Sequence, residues 1–212
     1  MYDYPHYKEN DVHKVIAFMK KNPFAMIIGS RKNGRLEATQ IPLLVEEKEG
    51  KIFLQGHMAR KSDHHQALME NPDALIIFTG AHTYVSATWY TTNPKMGSTW
   101  NYIAIHARGK VKWMSESGLK EMMQRLSLHF EKGDQSSSTV YNNLPDEYTS
   151  KMIKAIDGFC VEVTELDNVH KLSQNRDEIS YDNIVTELNK QTGDAKEIAE
   201  LMKAGRNKVF PT

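Results

Sequence analysis

The chain has 212 residues, 40% of them hydrophobic, which is enough to bury one sizeable core. Its 27 lysines and arginines are matched by 27 acidic residues, so direct DNA binding is doubtful because no overall positive field attracts a phosphate backbone. The single cysteine, Cys160, excludes an internal disulfide, and without a signal peptide or a membrane-spanning apolar run we expect a cytoplasmic protein.

The first half of the chain predicts one helix followed by strands. From Asn10, apolar residues recur at helical spacing until Pro23 ends the helix. The spacing then becomes that of strands, which we predict over residues 24–30, 35–47 and 51–58. Asn33-Gly34 and Glu49-Gly50 separate these strands and predict hairpin turns. A short helix follows around residues 62–70.

The second half predicts long strands between helices. The strands cover residues 73–80, 83–89, 98–114 and 158–172, and the helices cover about 119–130, a segment starting near Pro145, 179–190 and 194–204. The serine-rich stretch 133–144 predicts a loop. No internal repeat or break in composition separates a second domain. Antiparallel hairpins with few crossover helices favour a barrel or a curved sheet in an α+β fold.

One corner has the chemistry of a phosphate site. In "GHMARKSDHHQAL" a strand ends in Arg60-Lys61 and turns into a helix, which supplies a guanidinium, a second positive charge and free backbone N–H groups. The alternative is a solvated corner, which is the commoner role of an Arg-Lys pair. His64 and His65 do not favour a metal site, because neighbours on a helix point about 100° apart and no metal-binding spacing exists elsewhere.

Three other segments offer groups suited to a flat ligand. In "EATQIPL", Pro42 either interrupts strand pairing or marks an edge strand, which frees the polar groups of Thr39, Gln40 and Ile41. The stretch "VSATWYTTNPKMGSTWNY" concentrates aromatic and polar residues around a Gly/Pro loop, where the aromatics either stack on a ring or fill the core. "HKLSQNR" follows the last strand and is, in isolation, a polar strand exit.

These segments together resemble a known family. "GHMARKSDHHQAL" resembles the strand-to-helix phosphate corner of the flavin-binding split barrels, which include the pyridoxamine-phosphate oxidases. "GAHTYVSATWY", "STWNYIAIHARG" and "KLSQNR" resemble one branch, the FMN-binding negative transcriptional regulators of the PaiB type. The resemblance runs from "PFAMIIGS" to "KLSQNR", and the start "YDYPHYKENDVHKVIAFM" fits the branch's usual N-terminus.

The resemblance implies an antiparallel split β-barrel with flanking helices and a C-terminal helical tail, with FMN held in a groove at the interface of a homodimer. The FMN-binding domain would cover residues 1–175, and residues 176–212 would be its helical extension. Arg60 and Lys61 would hold the phosphate. The other implied contacts are Thr39, Gln40 and Ile41 at the isoalloxazine edge, Ser86, Trp100 and Asn101 near the ring or ribityl chain, and Lys171, Gln174 and Arg176 closing the site.

Three functions stay open at this point. The family name implies a flavin-binding regulator, and an FMN-dependent oxidoreductase acting on a small molecule is the alternative. The latter would use the loop 91–98 as a lid and Trp89 or Tyr90 as a stacking wall. A haem-handling relative is the third, with His170 as its ligand. No catalytic acid or base can be placed, because a flavin supplies its own redox chemistry, and Cys160 lies in a strand-like run typical of a structural thiol.

Overall fold

The computed structural model describes residues 1–91 and 96–211. In these residues the helices are α1 (Val12–Lys21), α2 (Asp63–Glu70), α3 (Glu116–Phe130), α4 (Asp146–Ala155), α5 (Glu178–Asn189) and α6 (Asp194–Val209). The strands are β1 (Phe24–Ser30), β2 (Leu36–Pro42), β3 (Leu44–Lys48), β4 (Lys51–Ala59), β5 (Asp73–Val85), β6 (Thr99–Trp113) and β7 (Ile156–Lys171). Short 3-10 turns cover Pro5–Tyr7, Ala87–Trp89 and Tyr141–Asn143. None of the described helices is both long and apolar enough to cross a membrane.

The chain divides into two compact units, which are described separately below. The barrel unit comprises Met19–Phe78 and His106–Leu166. The helical unit comprises Met1–Phe18, Thr79–Ile105 and Asp167–Thr212.

The sheet of the barrel unit curls so that its two ends approach each other. Its strand order is β2-β1-β5-β6-β7-β4-β3, so β2 and β3 stand at opposite ends although only Leu43 separates them along the chain. In a flat sheet the two ends would lie about 29 Å apart, since neighbouring strands are about 4.8 Å apart. One residue cannot cover that distance, and the sheet therefore curls into a barrel. The pairing of β2 with β1 ends at Pro42. The next residue, Leu43, donates its amide hydrogen to the Pro23 carbonyl oxygen at 2.9 Å.

The turns and the core of the barrel follow directly from the sequence. The Glu49-Gly50 turn has positive φ at both residues, 54° and 73°, as a two-residue hairpin of this kind requires. Side chains alternate along β4, and Leu54 is fully buried. Helix α3 covers one end of the core with Leu119, Met122 and Leu126. Gly109 in β6 is needed because an added Cβ would lie 2.3 Å from the Glu162 carbonyl oxygen of β7.

The helical unit has a core of its own. Helices α5 and α6 pack together, and their apolar faces cover Ala81 and Val85 of β5 and the segment that follows it. The Tyr181 hydroxyl donates to the Met202 carbonyl oxygen at 2.7 Å, and burial raises the pKa of Tyr181 to about 12.

Two predicted strand boundaries differ from the structure. The predicted strand 35–47 is two strands, because β2 pairs with β1 while β3 pairs with β4. The predicted strands 73–80 and 83–89 are one strand, β5, which continues to Val85 and is followed by a 3-10 turn. Cys160 is a half-buried free thiol whose pKa is raised by burial, which suits the predicted structural role.

Candidate functional site

The Arg60–Lys61 corner of the barrel unit connects β4 to α2. Lys61 has a positive φ of 62°, which turns the chain sharply. Ser62 is the N-cap of α2, and its side-chain oxygen accepts from the His65 amide at 3.1 Å. The corner is therefore fixed by its local sequence before any ligand is considered.

A hydrogen bond and an ion pair hold the Arg60 side chain in place. Its Nε donates to the Ile156 carbonyl oxygen at 2.9 Å, and its Nη2 lies 2.9 Å from Asp157 Oδ1. The other Asp157 oxygen lies 2.9 Å from His65 Nε2. These contacts orient the guanidinium, but Asp157 also offsets part of its charge.

The remaining donors of the corner fit a phosphate group. Nη1 of Arg60 and the ammonium of Lys61 form no ion pair within the described residues, and both side chains are exposed. The backbone N–H groups of Asp63 and His64, in the first turn of α2, likewise have no acceptor in the described part of the chain. A guanidinium, an ammonium and N–H groups at a helix start are the donors that a phosphate monoester requires.

The predicted residues of β2 lie beside the same helix. Thr39 Oγ1 is 2.9 Å from His64 Nδ1, which ties the edge strand to α2. His64 is 5% exposed, its Nε2 has no hydrogen-bond partner in the described residues, and burial lowers its pKa. Gln40 is exposed and Ile41 is buried. The structure thus brings Thr39 to the helix that follows the Arg60–Lys61 corner and confirms β2 as an edge strand.

Four of the six predicted residues of the helical unit fall into two groups. Asn101 and Gln174 use their side chains within the unit. Asn101 is fully buried between Ser173, which donates to its Oδ1 at 3.0 Å, and Met202, whose sulfur lies 3.4 Å from its Nδ2. Gln174 accepts from the Leu172 amide at 2.7 Å and donates to the His170 carbonyl oxygen at 2.5 Å, so it shapes the "KLSQNR" turn.

Lys171 and Arg176 form the second group with residues that the sequence did not single out. They line a pocket of about 290 Å³ together with Thr99, Ser173, Asn175 and the N-terminal residues Tyr2, Tyr4, His6 and Tyr7. The sequence shows tyrosines at positions 2, 4 and 7, but it does not indicate which part of the fold they contact. Ser86 caps the 3-10 turn after β5, accepting from the Thr88 amide at 3.3 Å, and Trp100 is 53% exposed.

The predicted lid, residues 91–98, includes positions 92–95, which lie outside the described residues. The two adjacent histidines have different partners, Thr39 for His64 and Asp157 for His65. Among the described residues, no three His, Cys, Asp or Glu side chains form a group that could hold a metal ion.

Comparison with known proteins gives a consistent result. The sequence profile of the family described as "Putative FMN-binding domain" matches residues 1–165. The "Protease synthase and sporulation protein PAI 2" of Bacillus subtilis (strain 168) is 29% identical over 204 residues, which cover 96% of this chain and 97% of that protein.

Two solved structures share the fold. The FAD and heme binding protein from Mycobacterium smegmatis has a TM-score of 0.59 at 16% identity, covering 77% of this chain and 72% of that one. The flavocytochrome Anf3 from Azotobacter vinelandii has a TM-score of 0.50 at 18% identity, covering 76% and 68%. The split-barrel α+β fold predicted from the sequence is confirmed, and the chain belongs to the FMN-binding domain family.

Proposed function

We propose that this protein is a regulatory flavoprotein that binds FMN, with the phosphate held at the Arg60–Lys61 corner. The observation that carries the proposal is the donor set of that corner, namely an oriented guanidinium together with an ammonium and two helix-start N–H groups that have no partner in residues 1–91 and 96–211. The family's cofactor, FMN, requires such a set for its phosphate.

The chain's own residues would bind and orient the cofactor. Arg60 and Lys61 supply charge, the first turn of α2 supplies N–H donors, and the edge strand offers Gln40 and the backbone of Thr39 and Ile41 to a heterocycle. FMN, when bound, supplies the redox chemistry, which needs no protein acid or base. The family resemblance also predicts contacts from Ser86, Trp100, Asn101, Lys171, Gln174 and Arg176, and these rest on the resemblance alone.

A regulatory role is supported by the relative rather than by a DNA-binding element. The Bacillus subtilis protein is named for protease synthesis and sporulation, and it aligns with nearly the whole chain. Regulation through a metabolite or a partner protein suits a chain with zero formal net charge. The oxidoreductase alternative differs from this proposal in one measurable property, which is reduction of the bound flavin by a nicotinamide cofactor.

A cofactor titration tests the proposal. Purified protein is titrated with FMN, FAD, riboflavin and haemin, and binding is followed by absorbance and flavin fluorescence. We expect FMN to bind more tightly than riboflavin, because only FMN carries the phosphate. Equal affinity for FMN and riboflavin, or preferential binding of haemin, would contradict the proposal. Adding NADH or NADPH to the FMN-loaded protein without oxygen then separates a regulator from an oxidoreductase.

We also propose that the protein is a homodimer, which associates through the outer face of the barrel's edge. This face carries three exposed apolar side chains, Phe24, Met26 and Leu36, which are 59%, 37% and 68% exposed. It continues into a groove of about 770 Å³ with Ile28, Leu36 and Leu75 among its lining residues. Solvent-exposed apolar faces of this kind are common at protein–protein interfaces.

The rim of this groove favours a second copy of the same chain as the occupant. Three cations and three carboxylates line it, namely Arg108, Lys110, Lys112, Asp73, Glu162 and Glu165. Within the chain Arg108 pairs with Glu165, Lys110 with Asp73 and Lys112 with Glu162, so the rim has no net charge and does not repel a second copy across a twofold axis. A strongly charged partner would instead select one sign.

A further inference from the structure

In the helical unit, the pocket beside the N-terminal residues is lined by two cations and, in the part of the chain that the structure describes, by no carboxylate. Lys171 and Arg176 both line it, and neither forms an ion pair with a carboxylate anywhere in residues 1–91 and 96–211. Acids close in sequence to the lining residues are engaged elsewhere: Asp167 pairs with Lys8 and Glu178 with Arg206. Asp3 pairs with Lys8 at 3.2 Å, and Asp177 accepts from the Ser180 amide and hydroxyl at the start of α5. Two cations therefore share one small cavity without a counter-charge from the described residues.

The contacts of these cations are with neutral groups. The Arg176 guanidinium lies 4.2 Å from the centre of the Tyr90 ring, its Nη1 is 3.5 Å from the Met96 sulfur, and its buried Nε has no hydrogen-bond partner in the described residues. The Lys171 ammonium hydrogen bonds to Thr99 and lies 5.5 Å from the centre of the Tyr2 ring. Ring faces and a thioether satisfy a guanidinium less well than an anion does.

The mutual effect of the two cations is unfavourable. Burial, and then the nearby charge of Arg176, lowers the pKa of Lys171 below its ordinary value. A bound anion would offset both effects, because it attracts the two charges and replaces their lost hydration. The pocket therefore holds two positive charges that no carboxylate of the described residues offsets by an ion pair.

The walls of the pocket are flat and aromatic. The rings of Tyr2 and Tyr4 each stand close to edge-on to the ring of Tyr7, at 6.3 Å and 6.0 Å between centroids. Thr99 and Ser173 add hydroxyl groups to the lining. The volume of about 290 Å³ lies just below the usual range of small-molecule pockets, which begins at about 300 Å³, so it suits a compact ligand.

We propose that this pocket binds a small planar organic acid as its anion, with the acid group between Lys171 and Arg176 and the flat part against Tyr2, Tyr4 and Tyr7. The ligand is a molecule separate from FMN, so this inference assigns Lys171 and Arg176 to it instead of to FMN. It leaves the proposed phosphate site at the Arg60–Lys61 corner unchanged. A regulator with such a pocket would respond to a metabolite of this chemical class. Carboxylates and phosphate monoesters share the required chemistry.

The test uses three probes of similar size, namely benzoate, phenyl phosphate and neutral benzyl alcohol. Binding to the full chain is measured by protein-observed NMR or calorimetry, with and without saturating FMN. We expect at least one of the two anions to bind with a dissociation constant of about 1 mM or tighter, and benzyl alcohol to bind much more weakly. Benzoate alone would identify a carboxylate site, and phenyl phosphate alone a phosphate site. Binding of neither anion, or equal binding of benzyl alcohol, would overturn the proposal.

Variants assign the binding to this pocket. Arg176→Gln and Lys171→Gln should each weaken binding of the anion roughly 10- to 100-fold, as expected for loss of one charge-assisted contact. Arg176→Lys keeps the charge without the planar fork, so it should fall between Arg176→Gln and the wild type. Lys203→Gln is the matched control, since Lys203 is exposed on α6 and does not line the pocket. Equal affinities in Arg176→Gln and Lys203→Gln would refute the assignment.

Two further measurements separate this site from the flavin site. Saturating FMN should leave the affinity for the anionic probe unchanged, and competition between FMN and the probe would show that the pocket belongs to the flavin. Arg60→Ala should not affect the probe. Thermal melting with and without the probe provides an independent check, because the anion should raise the melting temperature of wild type but not of the double variant Lys171→Gln/Arg176→Gln.

Discussion

Ser173 donates its hydroxyl proton to the side-chain oxygen of Asn101 across 3.0 Å, and both residues are almost completely buried. Ser173 also has a positive φ of 63°, an uncommon conformation for a residue with a side chain. This hydrogen bond therefore holds the "KLSQNR" turn in a strained backbone conformation. Lys171 and Arg176 flank this turn and, with Ser173, line the pocket proposed to bind an organic acid.

We expect Asn101→Ala to lower the free energy of unfolding by about 1–3 kcal/mol, because it leaves the buried Ser173 hydroxyl without its acceptor. Chemical denaturation checks this value. The control is Asn175→Ala, since Asn175 is exposed in the same turn. If both variants unfold at the same denaturant concentration as wild type, Asn101 does not hold the turn.

Arg60→Ala should weaken FMN binding roughly 10- to 100-fold, which corresponds to the loss of a charge-assisted contact of about 1.5–3 kcal/mol. Riboflavin, which lacks the phosphate, should bind the variant and the wild type equally. Fluorescence titration gives both affinities. Arg35→Ala is a suitable control because Arg35 is also exposed in the barrel unit and pairs with Glu37 at 3.0 Å. An unchanged FMN affinity in Arg60→Ala would mean that the phosphate binds elsewhere.

Much of the barrel could be predicted from local sequence. The hairpins at Asn33-Gly34 and Glu49-Gly50, the Ser62 cap of α2 and the strand character of β6 all follow from residue types at short range. The break at Leu43 could not be predicted, because it depends on β2 and β3 pairing with different strands at distant positions. Pro42 marked an irregularity there without identifying its kind.

The candidate site was predictable only in part for the same reason. Arg60-Lys61 followed by Ser62 specifies a charged corner at a helix start, since all its components are adjacent in the chain. By contrast, Asn101 has the same appearance in the sequence whether its amide meets a ligand or Ser173. The contribution of Tyr2, Tyr4 and Tyr7 to a pocket with Lys171 depends on tertiary packing over more than 160 residues of chain.

Stability should fall as the pH decreases from about 7.5 to 5.5. Burial lowers the pKa of His57, His64 and His170 below their ordinary value of 6.5. The unfolded chain therefore binds more protons than the folded chain below pH 6.5, and each such histidine costs up to about 1.4 kcal/mol per pH unit until its folded pKa is reached. Denaturation curves at several pH values measure this loss.

His57→Gln should reduce that pH dependence. His57 Nδ1 is buried and has no hydrogen-bond partner in the described residues, so the substitution removes the titrating group without breaking a bond through that atom. The comparison is between the slopes of stability against pH rather than between absolute stabilities. Identical slopes in the variant and the wild type would exclude His57 as a source of the effect.

Direct binding of the isolated protein to DNA should be no tighter than about 10⁻⁶ M at physiological salt, the range of non-specific binding. The basic end of α6 is neutralised within the helical unit, because Arg206 bonds to Asp182 at 2.8 Å and to Glu178 at 2.6 Å, and Lys208 lies 3.4 Å from Glu9. Fluorescence anisotropy with labelled DNA measures the affinity. Nanomolar binding to one operator that resists competitor DNA would contradict the expectation.

A charge variant tests why DNA binding is weak. Glu178→Gln/Asp182→Asn removes both acidic partners of Arg206, so it should raise the non-specific affinity and make it more dependent on salt. If the double variant binds DNA no better than wild type, the ion pairs of α6 are not the reason.

The homodimer should form through the outer face of the barrel's edge and should gain stability from FMN. Leu36→Lys places a charge on a side chain that is 68% exposed and lines the groove, so it should disrupt association without disturbing the fold of a single chain. Light scattering gives the mass, and circular dichroism confirms folding. Tyr148→Lys is the control, because Tyr148 is a 55% exposed aromatic residue on α4 that does not line the groove.

Ligand binding adds a second measurement on the same variants. FMN at a hundredfold excess over its dissociation constant should stabilise the folded state by about 2.7 kcal/mol and raise the melting temperature. If the cofactor needs the dimer, Leu36→Lys should lose this increase together with the dimeric mass, whereas Tyr148→Lys should keep both. A wild-type protein with the mass of one chain would overturn the dimer, and a Leu36→Lys variant that remains dimeric would place the interface on another face.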